Sequence, residues 1–91
     1  MDVITLSLND WNGSSGNYTQ SASINIPTGI ILSAAPQFIA SPNNMSSWTA
    51  AADAVLGPPT ATYISGQTSW SLTFPCEDTP PANINITVYW W

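Results

Sequence analysis

The chain has 91 residues, of which 44% are hydrophobic, and five tryptophans; this predicts one domain, residues 1–91, with a modest core. Its five acidic residues have no basic counterpart, because Lys, Arg and His are all missing and the formal net charge is −5. Neutralising phosphates requires Lys or Arg, so we expect neither a nucleic-acid partner nor a membrane partner.

The start of the chain, its apolar runs and its single cysteine indicate which targeting segments and cross-links to expect. We expect no signal peptide, because a basic segment and a long apolar run are both missing from the first residues, MDVITLSL. No run of apolar residues reaches the length that a membrane-spanning helix needs. Cys76 is the only cysteine, which excludes an intramolecular disulfide and predicts a small buried side chain.

Period-two alternation predicts the first two strands. The first covers residues 3–8, and alternate residues share its apolar face: Ile4, Leu6, Leu8. The second covers residues 18–26, with the apolar face Tyr18, Gln20, Ala22, Ile24, Ile26. We expect the two strands to pair antiparallel across a polar loop at residues 9–17, in which Trp11 folds back onto the edge of the core.

The middle of the chain predicts short elements. Residues 27–29 indicate a turn and residues 30–35 a third strand that is apolar on both faces. Phe38 and Ile39 then predict a short edge strand.

One short helix is predicted over residues 48–56, with an N-cap at Ser46 or Ser47 and its end at Gly57. Four of its residues follow helical spacing: Trp48, Ala51, Ala52, Val55. We expect this stripe to cover the core, and a ligand site is the alternative.

The last third predicts a hairpin and a final strand. Residues 60–65 and 69–74 form the hairpin, with Tyr63 and Trp70 adjacent across it. Residues 84–90 form the last strand, whose inward face is Ile84, Ile86, Val88, Trp90. These elements predict an all-β antiparallel β-sandwich of about six to seven strands with one short helix.

No arrangement of residues predicts catalysis. A nucleophilic triad needs a general base, and the chain has neither His nor Lys. Glu77 and Asp78 are adjacent, which fits poorly with carboxylates placed on either side of a scissile bond. The segment Asp10–Ser14 lacks the ligand spacing of a calcium loop. We therefore expect no enzyme activity, no cofactor and no metal.

Aromatic residues are the candidate binding residues. The pleat of the last strand turns Tyr89 and Trp91 outward. Exposed aromatic residues often form interfaces, so these two are the interface candidates for self-association. Trp11 and Trp91 form the alternative, a platform on which sugar rings stack.

Several motifs together resemble those of a known domain. They are Asp10-Trp11-Asn-Gly-Ser, Tyr18-Thr19-Gln20, Ser33-Ala-Ala-Pro36, Ser71-Leu-Thr-Phe-Pro-Cys76 and Ile84-Asn-Ile-Thr-Val88. The chain resembles a small β domain found in structural proteins of phages and prophages of Firmicutes, at the ends of tail or head fibres and as short separate proteins. The resemblance spans roughly residues 5–88 and departs between Phe38 and Tyr63, where this chain is longer.

The resemblance implies a structural virion protein, a small fibre or a capsid or tail decoration component displayed in multiple copies on the particle surface and made in the host cytoplasm. Fibre-like virion proteins are commonly three-fold, so it favours a homotrimer, with another virion protein as the alternative partner. The alternative function is a tip module that binds a carbohydrate or a host receptor.

Overall fold

The computed structural model of the chain describes residues 1–26, 37–65 and 69–91, with the side chain of Ser65 excepted. Within them, seven strands form two antiparallel sheets beside one helix, which confirms the predicted all-β, sandwich-like class. The elements are β1 Asp2–Leu6, β2 Asn12–Ser14, β3 Asn17–Asn25, β4 Phe38–Pro42, α1 Met45–Ala54, β5 Thr60–Ser65, β6 Ser69–Cys76 and β7 Ile84–Trp90. Sheet A has the strand order β1-β7-β4, and sheet B has the order β2-β3-β6-β5.

Some of the predicted elements lie outside the described residues. They are the turn at residues 27–29, the strand at residues 30–35 and the hairpin turn at residues 66–68.

Alternation along the long strands places the core between the two sheets. In β3, β6 and β7 the predicted inward residues are buried or partly buried. The large, fully buried apolar side chains are Phe74, Leu6, Ile24, Leu72, Ile84, Ile86 and Val88. β3, β6 and β7 therefore each contribute one apolar face to the core, as period-two patterns dictate.

The predicted pairing of the first two strands is wrong. β1 pairs with β7 from Asp2↔Val88 to Leu6↔Ile84, whereas β3 pairs with β6 and lies in the other sheet. The strand also ends at Leu6, so Leu8 is 40% exposed instead of inward. Both strands present an apolar face to the same core, and that face alone does not determine which sheet a strand joins.

A buried amide holds the two sheets together where β1 ends. Gln20 is 8% exposed and belongs to β3 of sheet B. Its Nε2 donates to the carbonyl oxygen of Ser7 at 2.9 Å, and its Oε1 accepts from the N–H of Ser7 at 2.9 Å. This pair of bonds satisfies a polar side chain that burial would otherwise penalise.

The predicted loop at residues 9–17 contains a short strand. β2 pairs with β3 in a hairpin that turns at Ser15 and Gly16. Gly13 has φ +123°, and a Cβ at this position would overlap the carbonyl oxygen of Asn17. Only glycine accommodates this conformation and this close approach. Because β2 is three residues long and exposed throughout, it carries no alternation pattern.

The helix begins earlier than predicted. Its N-cap is Asn44, whose Oδ1 accepts from the N–H of Ser47 at 2.8 Å, so neither Ser46 nor Ser47 is the cap. It ends at Ala54, and Val55 takes a left-handed conformation with φ 54°.

The predicted stripe on the helix is also wrong in part. The buried residues are Ser47, Ala50, Ala51 and Ala54, whereas Trp48 is 55% and Val55 is 52% exposed. Small side chains allow the helix to lie close to β4 and β7, and a tryptophan at that contact would hold it away. Ser47 is 1% exposed, and its Oγ accepts from the N–H of Asn85 at 2.8 Å, which ties the helix to β7.

Three of the five acids gather at the C-terminal end of α1. Asp53 is the penultimate helical residue, and the carbonyl oxygen of Ala54 accepts from the N–H groups of Glu77 and Asp78 at 3.0 and 3.2 Å. The helix macrodipole is negative at this end, so it repels carboxylates. With no basic side chain to offset this repulsion, electrostatics oppose the fold here.

The predicted hairpin is confirmed. β5 pairs with β6, and Tyr63 lies opposite Trp70 with the ring centroids 5.4 Å apart in an edge-to-face arrangement. The ring centroid of Phe38 on β4 lies 5.5 Å from that of Trp70, so this tryptophan joins the two sheets.

Candidate functional site

The outer face of sheet A is divided into an apolar and a polar half. The apolar half consists of four side chains, Val3, Ile39, Tyr89 and Trp91. We call these four residues the apolar face. Their exposed fractions are 56%, 54%, 49% and 56%, respectively. Register brings them together, because Ile39 lies directly opposite Tyr89, and Val3 lies opposite Thr87, the neighbour of Tyr89 on the same side of the sheet.

The backbone fixes the direction in which Trp91 points. Its N–H donates to the carbonyl oxygen of Gln37 at 3.2 Å, and its own carbonyl oxygen accepts from the N–H of Gln37 at 3.1 Å. This mutual pair extends the β4–β7 ladder by one residue, so Trp91 keeps the alternation of Tyr89 and shares its side. Both interface candidates therefore lie on the outer face, as the pleat predicts, and the interface itself stays a prediction.

The polar half of the face is held by bonds among its own side chains. Thr5 Oγ1 donates to Asn85 Oδ1 at 2.8 Å across the β1–β7 pair. Asn43 Nδ2 donates to Thr87 Oγ1 at 3.4 Å next to β4. These bonds order the polar side chains beside the apolar face and supply a rigid rim to it.

No acidic side chain lies on the outer face of sheet A. Asp2 is the only acid in β1, β4 or β7; it alternates with Val3 and so points to the opposite side, where its Oδ1 accepts from the N–H of Val3 at 2.9 Å. The other acids are Asp10, Asp53, Glu77 and Asp78, which lie outside the strands of sheet A. The apolar face therefore carries no charged side chain, on a chain of net charge −5.

The exposed apolar area equals that of the largest patch on a typical monomeric protein. Tyr89 and Trp91 are about half exposed, which corresponds to about 100 Å² each. Val3 and Ile39 add about 50 Å² each by the same reasoning. The sum of about 300 Å² lies at the lower end of the largest patches on monomeric proteins, which are often functional.

Trp11 differs from the exposed platform predicted for it. Its ring is partly buried and lies against the core, as expected of a residue that folds back onto the core edge. Its indole Nε1 is buried and has no hydrogen-bond partner in the described part of the chain. The structure therefore does not bring Trp11 and Trp91 together in one platform, because Trp91 lies on the outer face of sheet A.

A polar pocket of about 510 Å³ surrounds Trp11. The segment at residues 9–12 forms one wall and β3 forms the other, with Thr19 and Ser21 at the rim. The sequence pattern did not indicate this pocket, since it arises where two paired segments separate.

A second concavity of about 610 Å³ lies between α1, β4 and residues 55–59. It is mainly apolar, and its lining includes Trp48 on the helix and Val55 directly after it. Trp48 thus borders a groove instead of covering the core.

The polar residues offer little chemistry. Cys76 is buried at 5% exposure, and burial, followed by the charge of Asp78, raises the pKa of its thiol. A protonated thiol is a poor nucleophile. Residues 1–26, 37–65 and 69–91 contain no group of three or more His, Cys, Asp or Glu side chains arranged to hold a metal ion.

The one helix of the described chain is too short to cross a membrane.

Comparison of the chain with protein-family models, with curated proteins and with solved structures found no match.

Proposed function

We propose that this protein is a structural module that assembles with copies of itself through the apolar face, as a small fibre or decoration component on the surface of a phage particle. The observation that carries the proposal is the apolar, uncharged outer face of sheet A. The motifs quoted above support the phage context, and the all-β fold agrees with it.

A second copy of the chain is the partner that this face fits best. Each copy carries a net charge of −5, so two copies repel wherever their carboxylates approach each other. The apolar face has no carboxylate and permits contact with the least repulsion. A basic partner would find no opposite charge here, and cores of protein interfaces are depleted of charge.

The size of the face agrees with a modest interface. A stable interface buries about 800 Å² on each partner, and the apolar face alone supplies about 300 Å². The polar half, where Thr5, Asn85 and Thr87 already hold fixed positions, adds to this area, and the total is at the small end of specific interfaces. Tyr89 and Trp91 are of the residue types that contribute most to binding free energy.

We propose a homotrimer in which three copies turn the apolar face towards a common axis. Such an arrangement places Tyr89 and Trp91 of every copy near the axis and leaves the acidic ends of α1 at the periphery. A contact with another virion protein through the same face is the alternative.

Sedimentation velocity over a range of protein concentrations tests the proposal. We expect the wild type to sediment as a trimer at high concentration and the Trp91→Ser variant to remain monomeric. The matched control is Trp48→Ser, because Trp48 is 55% exposed, close to the 56% of Trp91, but lies on the helix. A wild type that stays monomeric at every concentration would contradict self-association, and equal loss in both variants would contradict the choice of face.

A further inference from the structure

The polar pocket around Trp11 has no role in the proposed assembly. We propose that it binds an uncharged saccharide. The inference goes beyond the assembly role and is independent of it, because the pocket belongs to sheet B and the apolar face to sheet A.

The pocket exists because β2 leaves β3 early. Pairing runs from Ser14↔Asn17 to Asn12↔Thr19 and then stops, while β3 continues to Asn25. The chain before β2 turns away towards β1, and the N–H of Asp10 donates to the carbonyl oxygen of Ser7 at 3.2 Å. Among the described strands, none pairs with this edge of β3 beyond Thr19, and Gln20 and Ser21 line the pocket there.

The bonds around the pocket make it preformed. The amide of Gln20 holds Ser7 with two bonds of 2.9 Å, and Ser7 in turn fixes the turn that carries Asp10. On the other side, the close approach of Gly13 to Asn17 holds the hairpin. A preformed site loses little conformational entropy when a ligand binds.

Trp11 supplies the apolar part of the pocket. Its Nε1 edge is buried and its ring packs against the core, so the ring is inserted edge first and cannot swing freely. Only a small part of the ring reaches the pocket, whose lining is mainly polar. This small, fixed apolar edge suits a C–H group of a sugar ring, and the polar lining suits its hydroxyl groups.

The polar groups beside Trp11 determine the ligand class. The side chains of Asn9, Asp10 and Thr19 are exposed and make no hydrogen bond to the described part of the chain. They offer an amide, a carboxylate and a hydroxyl, which together accept from and donate to vicinal hydroxyl groups. The carboxylate repels anions, and the chain has no basic side chain to attract them, so among saccharides the pocket favours uncharged over acidic ones.

The orientation of the pocket also fits a display role. Thr19 and Ser21 are exposed and alternate with the buried Gln20, so they point to the outer side of sheet B. Copies joined through sheet A would therefore present their pockets outward, and several pockets on one particle raise the avidity for a repeated glycan.

The indole resonances of the tryptophans in a ¹H–¹⁵N correlation spectrum provide the test. The spectrum of Trp11→Phe assigns the Trp11 signal by its loss. The wild type is then titrated with neutral oligosaccharides of glucose, galactose and N-acetylglucosamine, and with heparin fragments as the anionic counterpart. We expect a saturable shift of the Trp11 signal with at least one neutral oligosaccharide and none with heparin.

Two variants locate the binding groups without disturbing the core. Asp10→Ala and Thr19→Ala alter exposed side chains, and each should weaken binding at least about tenfold. Ser23→Ala is the matched control, an exposed residue further along β3 and outside the pocket, and should bind as the wild type does. No shift with any neutral oligosaccharide, a shift confined to another tryptophan, or wild-type affinity in both Asp10→Ala and Thr19→Ala would each overturn the inference. Trp91→Ser separates the two proposals, because it should lose assembly and keep the Trp11 shift.

Discussion

Replacing Gln20 by Leu should destabilise the protein by about 2–3 kcal/mol. Leu matches Gln roughly in size but forms no hydrogen bonds, so the exchange removes both bonds to Ser7. The N–H of Ser7 then loses its partner, whereas the carbonyl oxygen of Ser7 keeps the bond from the N–H of Asp10 at 3.2 Å. Each hydrogen bond contributes about 1–1.5 kcal/mol net, and unsatisfied buried groups add to the loss. Against a total stability of about 5–10 kcal/mol for such a domain, the change is large.

Urea unfolding followed by tryptophan fluorescence measures this change as a difference in the extrapolated free energy of unfolding. Ser23→Ala, an exposed change on the same strand, should stay within about 0.5 kcal/mol of the wild type. A loss below about 0.5 kcal/mol in Gln20→Leu would refute the reasoning, because it would mean that water replaces the amide and that Gln20 does not hold the sheets together.

Three further predictions concern the core, the thiol and the acids. Leu72→Ala should cost about 2–4 kcal/mol in urea unfolding, whereas Thr73→Ala, on the opposite face of β6, should cost less than about 1 kcal/mol; equal costs would reverse the face assignment. Burial and the charge of Asp78 raise the pKa of the Cys76 thiol, so at about pH 8 a disulfide reagent should label the folded protein only as fast as it opens, and rapid labelling without urea would contradict this. Since the acids at the end of α1 only repel, the melting temperature should stay level or rise from low to moderate NaCl, and a clear fall would point to an attractive charge pair.

The long strands could be predicted because each has one apolar and one polar face. β7 is the clearest example, where Ile84, Ile86 and Val88 are buried and Tyr89 is exposed. The Tyr63–Trp70 contact followed from the same alternation, since a hairpin fixes which residues lie opposite each other. Local pattern and local pairing are sufficient in these cases.

The remaining features depend on contacts between distant parts of the chain. β1 joins β7 although its apolar pattern would suit either sheet. Ser47 faces β7, where its hydroxyl oxygen accepts from the N–H of Asn85. Helical spacing alone favoured Trp48 as the residue that faces the core, but Trp48 is exposed.

The candidate sites also combine residues that local pattern predicts with residues that only distant contacts bring together. Tyr89 and Trp91 were predictable from the pleat, whereas Val3 and Ile39 joined them only through the pairings of β1 and β4. The pocket around Trp11 required knowledge of where β2 leaves β3, and no periodicity encodes that point.

Self-association through the apolar face is tested most directly by a matched pair of charged substitutions. Ile39 and Ile64 are 54% and 50% exposed, both on edge strands, but only Ile39 belongs to the apolar face. Each is replaced by Glu, and the mass is measured by light scattering across concentrations. Like charges that meet at an interface cost several kcal/mol, and Ile39→Glu would bring one carboxylate from each copy to the proposed interface. Ile39→Glu should therefore be monomeric at concentrations where Ile64→Glu and the wild type are trimers. A trimer that survives in Ile39→Glu, or dissociates only in Ile64→Glu, would contradict assembly through this face.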